Sequence, residues 1–146
     1  MSARVQETDF DVGEELAKLT ADRVDIGALV SFTGLVRDVT GDLQALELEH
    51  YPAMTQSALE EIEAEAVARW DLDASLIIHR YGRLEPGQQI MMVATASKHR
   101  KAAFESADFL MDFLKSRAPF WKKEHGLEGA EWVDAKEADE DALKRW

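Results

Sequence analysis

The chain has 146 residues, 46% of them hydrophobic, which is enough to bury the core of one globular domain over residues 1–146. Its longest apolar run, Ile90 to Ala96, is interrupted by Thr95 and is far too short to span a bilayer. The lack of cysteine excludes disulfides, thiolate metal sites and a cysteine nucleophile or persulfide. A formal net charge of −12 argues against nucleic-acid or anionic-membrane binding.

The opening sequence, MSARVQETDF, has no apolar stretch typical of a secretory signal, so we expect a cytoplasmic protein. The four histidines lie at none of the short spacings typical of zinc ligands, and we therefore predict no metal site. We also expect no cofactor. His50 and His79 fall in strand patterns and are predicted to be structural, whereas His125 is predicted to lie in an exposed loop.

The charge is unevenly distributed along the chain. From Lys98 to Glu124 seven basic residues stand against four acidic ones, a local charge of +3, while the remainder carries −15. A basic island in an acidic protein indicates a site for a small anion. A run of solvated helix charges would give the same count, so both interpretations stay open at this point.

Hydrophobic periodicity predicts helix, strand, strand and helix in the first half of the chain. A short amphipathic helix covers residues 13–19. Strands cover residues 26–37 and 45–51, and the first of them places a shared set of apolar side chains on one face: Ile26, Ala28, Val30, Phe32 and Val36. Thr55 is a candidate cap for a helix that runs to Trp70, with Leu59, Ile62 and Ala66 on its apolar face.

The second half is predicted as two strands, a long helix and a short tail. Strands over residues 76–81 and 89–96 are joined by a type II turn with Pro86 and Gly87 at its centre. Ser97 is a candidate cap for a helix that Pro119 stops, with an apolar face of Ala103, Phe104, Ala107, Leu110, Met111 and Leu114. A strand near residues 132–133 and a helical tail to Trp146 follow. This order favours an α+β fold with a mostly antiparallel sheet.

The start of the second long helix carries an unusual run of cations, Lys98, His99, Arg100 and Lys101. The helix dipole disfavours each of them there by roughly 0.3–1 kcal/mol, while free backbone N–H groups at that end attract anions. Such a conflict indicates an anion site. Side chains that extend into water are the alternative.

Three other places carry candidate cations. Lys115 and Arg117 lie in the last turn of the same helix, where positive charge is favourable and common. The segment APFWKKE (118–124) places two lysines beside two aromatics and is predicted to form a rigid turn that aims ammonium groups at a ligand. Arg37 ends the polar face of its strand, where it could grip a phosphate, although an arginine there is more often only a surface charge.

Several of these segments together resemble one family, the large, catalytic subunit of molybdopterin synthase. The similar blocks are VSFTGLVRD (30–38), LELEHYPAMT (46–55), IIHRYGRLEPGQ (77–88), SKHRKAAFE (97–105), MDFLKSRAPFWKKE (111–124), WVDAKEAD (132–139) and KRW (144–146). The resemblance implies an α+β homodimer at the centre of a heterotetramer, in which each subunit accepts the tail of a small ubiquitin-like sulfur carrier. It implies a reaction in which the carrier's Gly-Gly thiocarboxylate supplies sulfur to cyclic pyranopterin monophosphate, forming the dithiolene of molybdopterin.

The resemblance also implies roles for particular residues. Lys115 and Lys122 match the family's active-site lysines, and Arg37, His99 and Arg100 match its substrate-binding positions. Further pocket residues on the same basis are Leu35, Val36, Lys123 and Glu124, although the family often has a polar or basic residue where Leu35 stands. A sulfur-inserting enzyme without cysteine must receive its sulfur from a partner. Two alternatives stay open, namely a non-catalytic module that binds a pterin or nucleotide phosphate, and a structural partner of a ubiquitin-like protein.

Overall fold

The computed structural model describes residues 3–133 and 137–146. Its strands are β1 Ala3–Gln6, β2 Ala28–Leu35, β3 Leu43–His50, β4 Ala74–Arg80, β5 Gly82–Leu84, β6 Gln89–Ser97, β7 Phe120–Gly126 and β8 Gly129–Val133. Its helices are α1 Val12–Thr20, α2 Pro52–Trp70, α3 Arg100–Arg117 and α4 Glu137–Ala142, followed by a 3-10 turn over Leu143–Arg145. Residues 134–136 of the predicted tail lie outside the described residues.

The strands form two four-stranded sheets, in the orders β1-β4-β6-β2 and β5-β3-β7-β8. All pairs are antiparallel except β1 with β4, which is parallel. The predicted α+β class with mostly antiparallel pairing is confirmed. None of the described helices is long and apolar enough to cross a membrane.

The two faces of the first sheet carry separate parts of the core. Helices α2 and α3 cover one face, where Leu59 and Leu110 pack against Ile77 and Val93. Helix α1 covers the other face, where Leu16 packs against the cluster that contains Ile78. A third cluster lies where the second sheet meets the first and contains Val36, Leu46, Leu48 and Leu84. The junction of the two sheets is therefore closed by apolar side chains on one side.

Both predicted caps of the long helices are wrong. Helix α2 begins at Pro52 with Tyr51 as its N-cap, and Thr55 is buried inside its first turns, donating a 2.9 Å hydrogen bond to the carbonyl oxygen of Tyr51. Proline suits the first helical position because that position needs no N–H donor. Ser97 ends β6, and His99 is the N-cap of α3 without a side-chain capping bond.

The predicted apolar face of α3 needs one correction. Phe104 is 61% exposed, whereas Phe109, which the pattern left out, is fully buried. Its ring lies between Trp70 and Phe113, with centroid distances of 5.1 and 4.6 Å. The aromatic cluster extends to Trp146, whose ring meets Phe109 edge-on at 5.8 Å. The end of the chain thereby packs onto the middle of α3.

Strand β7 is the other difference from prediction, since a turn was expected over residues 118–124. The segment instead pairs with β3 on one side and β8 on the other. His125 consequently lies in a strand and not in an exposed loop, and its Nε2 is 2.8 Å from a carboxylate oxygen of Glu47. The two histidines predicted in strand patterns do occupy strands, His50 at the end of β3 and His79 in β4.

Candidate active site

A cavity of about 660 Å³ lies where the two sheets and the C-terminal half of α3 meet. Its wall comes from the end of β2, the chain after it, β4, the start of β6, α3 and the start of β7. Most of the wall is apolar. The lining residues are Phe32, Thr33, Gly34, Leu35, Val36, Arg37, His79, Gly87, Ile90, Met91, Met111, Leu114, Lys115, Ala118, Phe120 and Lys122.

Two lysines reach this cavity from two elements joined by a short connection. Lys115 is an exposed residue in the last turn of α3, and Lys122 is half-buried in β7. Pro119 ends the helix between them, and the N–H of Phe120 donates a 2.8 Å hydrogen bond to the carbonyl oxygen of Ala118. The close turn places both ammonium groups at the wall of one cavity.

The third cation is Arg37, which follows β2. The backbone at Val36 is tied to the turn between β5 and β6, because its N–H donates to the carbonyl of Gln88 at 2.9 Å and its carbonyl accepts from the N–H of Gly87 at 2.8 Å. Gly87 has a φ of +89°, as position three of the predicted type II turn requires. This connection holds Leu35, Val36 and Arg37 along the cavity wall.

Two predicted pocket residues on β7 lie away from the wall. Consecutive residues of a strand point to opposite faces, so Lys123 lies on the other side of the sheet from Lys122. Its ammonium is 5.2 Å from the centre of the Trp132 ring, a cation–π contact. Glu124 shares the face of Lys122 but lies further along the strand, where it borders a separate shallow depression. The structure therefore does not bring either residue to this cavity.

His99 and Arg100 also lie elsewhere within one chain. Arg100 begins α3 and Lys115 is 15 residues further on, which corresponds to about 22 Å along a helix. Both His99 and Arg100 are exposed. Lys98, just before them, is paired with Asp73 at 3.0 Å. Part of the cation run is thus explained by a local ion pair, while His99 and Arg100 remain available at the surface.

His79 is the lining residue whose placement the sequence did not indicate. It is only 7% exposed, and its ring stacks on Phe120 with a centroid distance of 3.7 Å and an interplanar angle of 16°. Its Nδ1 lies 2.9 Å from the carbonyl oxygen of Arg80. Since a carbonyl only accepts, Nδ1 must carry the proton. Burial is the largest cause that lowers the pKa of His79 to about 4; Lys122, His50 and Lys115 act in the same direction, and the hydrogen bond to Arg80 acts against them.

This pKa predicts a stability change with pH. An unfolded histidine has a pKa of about 6.5, so between pH 6.5 and pH 4 the unfolded state binds a proton that the folded state does not. The stability from neutral His79 is therefore present above pH 6.5 and lost as the pH falls towards 4. The difference between the two pKa values corresponds to a loss of about 3 kcal/mol in the free energy of unfolding. Urea unfolding of wild type and His79→Asn at pH 7 and pH 4.5 should show the smaller loss in the variant, and equal losses would contradict the assignment.

Among the described residues, no group of three or more histidine, aspartate or glutamate side chains is arranged to hold a metal ion. The side chains that line the cavity offer chemistry of their own. Three cations can neutralise an anion, two of them can exchange protons, and an apolar wall can cover a flat organic ligand.

Comparison with known proteins gives one consistent family. The family model described as MoaE protein matches residues 5–117. A molybdopterin synthase catalytic subunit from Mesorhizobium japonicum is 58% identical, over 99% of this chain and 92% of that protein. The molybdopterin biosynthesis MoaE protein from Burkholderia ambifaria has a TM-score of 0.86 at 52% identity, covering 99% of this chain and 97% of that chain. Molybdopterin synthase from Staphylococcus aureus has a TM-score of 0.82 at 29% identity, covering 89% and 95%.

The matched residues 5–117 include the end of β2, the turn between β5 and β6 and helix α3, all of which line the cavity. A family model that covers most of the chain and relatives of more than half identity over nearly all of it lead to one conclusion: the chain belongs to the MoaE family of molybdopterin synthase catalytic subunits, which are sulfurtransferases.

Proposed function

We propose that the cavity between the two sheets is where sulfur passes from the thiocarboxylate of a small carrier protein to cyclic pyranopterin monophosphate. The observation that carries this proposal is the convergence of Lys115, Lys122 and Arg37 on one largely apolar cavity. Thiocarboxylate and phosphate are both anions, and a heterocycle needs an apolar wall. Positive groups in a site of low dielectric stabilise such anions more strongly than they would in water.

Each cation has a separate task in this proposal. Arg37, which follows β2, binds the phosphate of the substrate through the planar guanidinium group. Lys115 orients the incoming thiocarboxylate and moves protons during the transfer. Lys122, deeper in the wall, stabilises the oxyanion or the phosphate oxygen that leaves when the cyclic phosphate opens. In each transfer the thiocarboxylate sulfur bonds to a carbon of the substrate as a carbon–oxygen bond there breaks, and the oxygen leaves with the opened phosphate in one transfer and as water in the other. Water then cleaves the resulting thioester, which leaves the sulfur on the substrate and returns the carrier as a carboxylate. Two such transfers complete one dithiolene.

We also propose that two chains form the working site. Within one chain Arg100 lies about 22 Å from Lys115 along α3, too far for both to hold one substrate. A homodimer in which the helix start of one chain faces the cavity of the other would bring them together, and a carrier bound to each chain would give a heterotetramer. Phe32 and Leu35 at the cavity wall are 44% and 55% exposed, which leaves apolar surface for a second chain to cover.

Arg100→Ala tests this arrangement. The variant should bind substrate roughly 10- to 100-fold more weakly, because it loses a charge-assisted contact to phosphate. Its melting temperature should be unchanged or slightly higher, since a cation is removed from the positive end of a helix. Substrate titration and thermal unfolding measure both quantities. Mixing Arg100→Ala with Lys115→Ala chains should restore part of the activity, because mixed dimers keep one intact site. No recovery in verified mixed dimers would contradict the two-chain site.

The function itself is tested by incubating the purified chain with thiocarboxylated carrier and cyclic pyranopterin monophosphate. An enzyme yields dithiolene and carboxylated carrier in a ratio of one to two. A binding module would show affinity for the pterin without product, and a purely structural partner would bind only the carrier. We place the reaction in the cytoplasm, which fractionation of cells followed by the same assay would check.

A further inference from the structure

The walls of the cavity are rich in hydrogen-bond donors and poor in acceptors. Its three charged side chains are all cations, and a cation can only donate. No carboxylate belongs to the described lining. The uncharged polar side chains are Thr33 and His79. A ligand that brings its own N–H groups into such a cavity must find an acceptor, because a buried donor left without one weakens binding.

His79 is prepared to be that acceptor. Its proton is fixed on Nδ1 by the carbonyl oxygen of Arg80, 2.9 Å away, so the lone pair is on Nε2. Stacking on Phe120, which comes from the other sheet, fixes the plane of the ring. Burial keeps the pKa of His79 low, and the facing cations Lys122 and Lys115 act in the same direction. The ring is therefore neutral at physiological pH and does not become a fourth cation.

We propose that Nε2 of His79 accepts a hydrogen bond from a ring N–H of the reduced pterin, and thereby selects and orients the heterocycle in the cavity. The inference rests on the proposed function of this cavity and adds a determinant of substrate specificity to it. His79 recognises the ring, whereas the cations recognise the charged groups. The apolar wall beside it, from Ile90, Met91 and Leu114, can cover the faces of a flat ring.

Two amide substitutions separate this role from a structural one. In His79→Asn the side-chain N–H can replace Nδ1–H towards the carbonyl of Arg80, but no acceptor reaches the position of Nε2. In His79→Gln the longer side chain can place its amide oxygen near that position. Both variants lose the aromatic stack on Phe120. They differ in which ring position the amide replaces, because asparagine keeps the donor towards Arg80 and glutamine keeps the acceptor.

The measurements are direct titration of cyclic pyranopterin monophosphate without carrier, KM for pterin and for carrier, and the melting temperature at pH 7. We expect His79→Asn to weaken pterin binding and raise the KM for pterin by about 10-fold, the scale of one hydrogen bond lost at a buried acceptor. His79→Gln should recover most of this loss, and KM for the carrier should be unchanged in both.

Equal pterin affinity in wild type and His79→Asn would overturn the proposal, as would equal weakening in both variants or a change confined to the carrier. If His79→Asn proves too unstable to measure, wild type and His79→Gln are compared at the same fraction folded. Loss of pterin binding in the glutamine variant would then contradict the proposal. Failure of the proposed function is distinguishable, because wild type would then make no dithiolene whatever the histidine variants bind.

Discussion

Replacing Lys115 by alanine should reduce single-turnover dithiolene formation by roughly 100-fold or more, the scale expected for a lost general acid or base. The side chain is exposed at the last turn of α3 and lines the cavity, so its loss removes a charge from the cavity wall and no packing from the core. Folding and much of the carrier surface should survive. The measurement is product formation at saturating thiocarboxylated carrier, with the melting temperature recorded in parallel.

Arg117 provides the matched control, because it is a cation in the same last turn whose one described pairing is with Glu140 at 3.6 Å. Arg117→Ala should leave the rate within about twofold and change stability by a few tenths of a kcal/mol. Lys115→Arg should restore little activity, since a guanidinium stays protonated and cannot transfer a proton. A near-normal rate in Lys115→Ala would rule out its catalytic role.

The largest loss of stability is expected from Phe109→Ala. Phe109 is fully buried among Trp70, Phe113 and Trp146, and its truncation leaves a cavity that the surrounding rings fill only in part. Such substitutions cost about 3–5 kcal/mol. For a chain of this length the melting temperature should fall by about 10 °C or more. Urea unfolding of wild type and variant at the same protein concentration measures the change with the contribution of association held equal.

Phe104→Ala on the same helix is the control for the aromatic truncation itself. Phe104 is 61% exposed, so the same change should alter the free energy of unfolding by less than about 1 kcal/mol. Equal losses in the two variants would mean that the exposed ring is covered in solution, by a second chain or by another part of the assembly. A small loss in Phe109→Ala would contradict the packing described for this helix.

Elements with strong periodicity could be predicted from the sequence, and those with mixed patterns could not. The predicted strands and helices before residue 118 correspond to β2, β3, β4, β6, α1, α2 and α3 within a few residues. β1 and β5 are too short to show a period. β7 has two adjacent aromatics followed by charged residues and was predicted to be a turn, because it shows no alternation and neither of its faces is fully buried. Pairing with two neighbours decides its structure, and that is a tertiary effect.

Some residues of the candidate site could likewise be identified from the sequence, and others could not. Lys115, Lys122 and Arg37 were found by resemblance, and the structure places them at one cavity. Local sequence alone could not show this, because they come from different elements. His79 was predicted to be structural, since an isolated histidine in an apolar strand gives no sign of what its ring borders. Lys123 was predicted to be a pocket residue and is not one. Its neighbour Lys122 faces the cavity, and the pleat of the strand turns Lys123 to the opposite face.

The short connection from α3 to β7 makes chain length there as important as residue identity. Deleting one residue before Phe120 would move every side chain of β7 to the opposite face of the sheet. Lys123 would then stand where Lys122 stands, so the positive charge of the wall would be conserved. Trp121 would take the place of Phe120 in the stack with His79. The indole is larger than a phenyl ring and would displace the His79 ring from its position. The length of this connection therefore constrains the site more tightly than the identity of its residues.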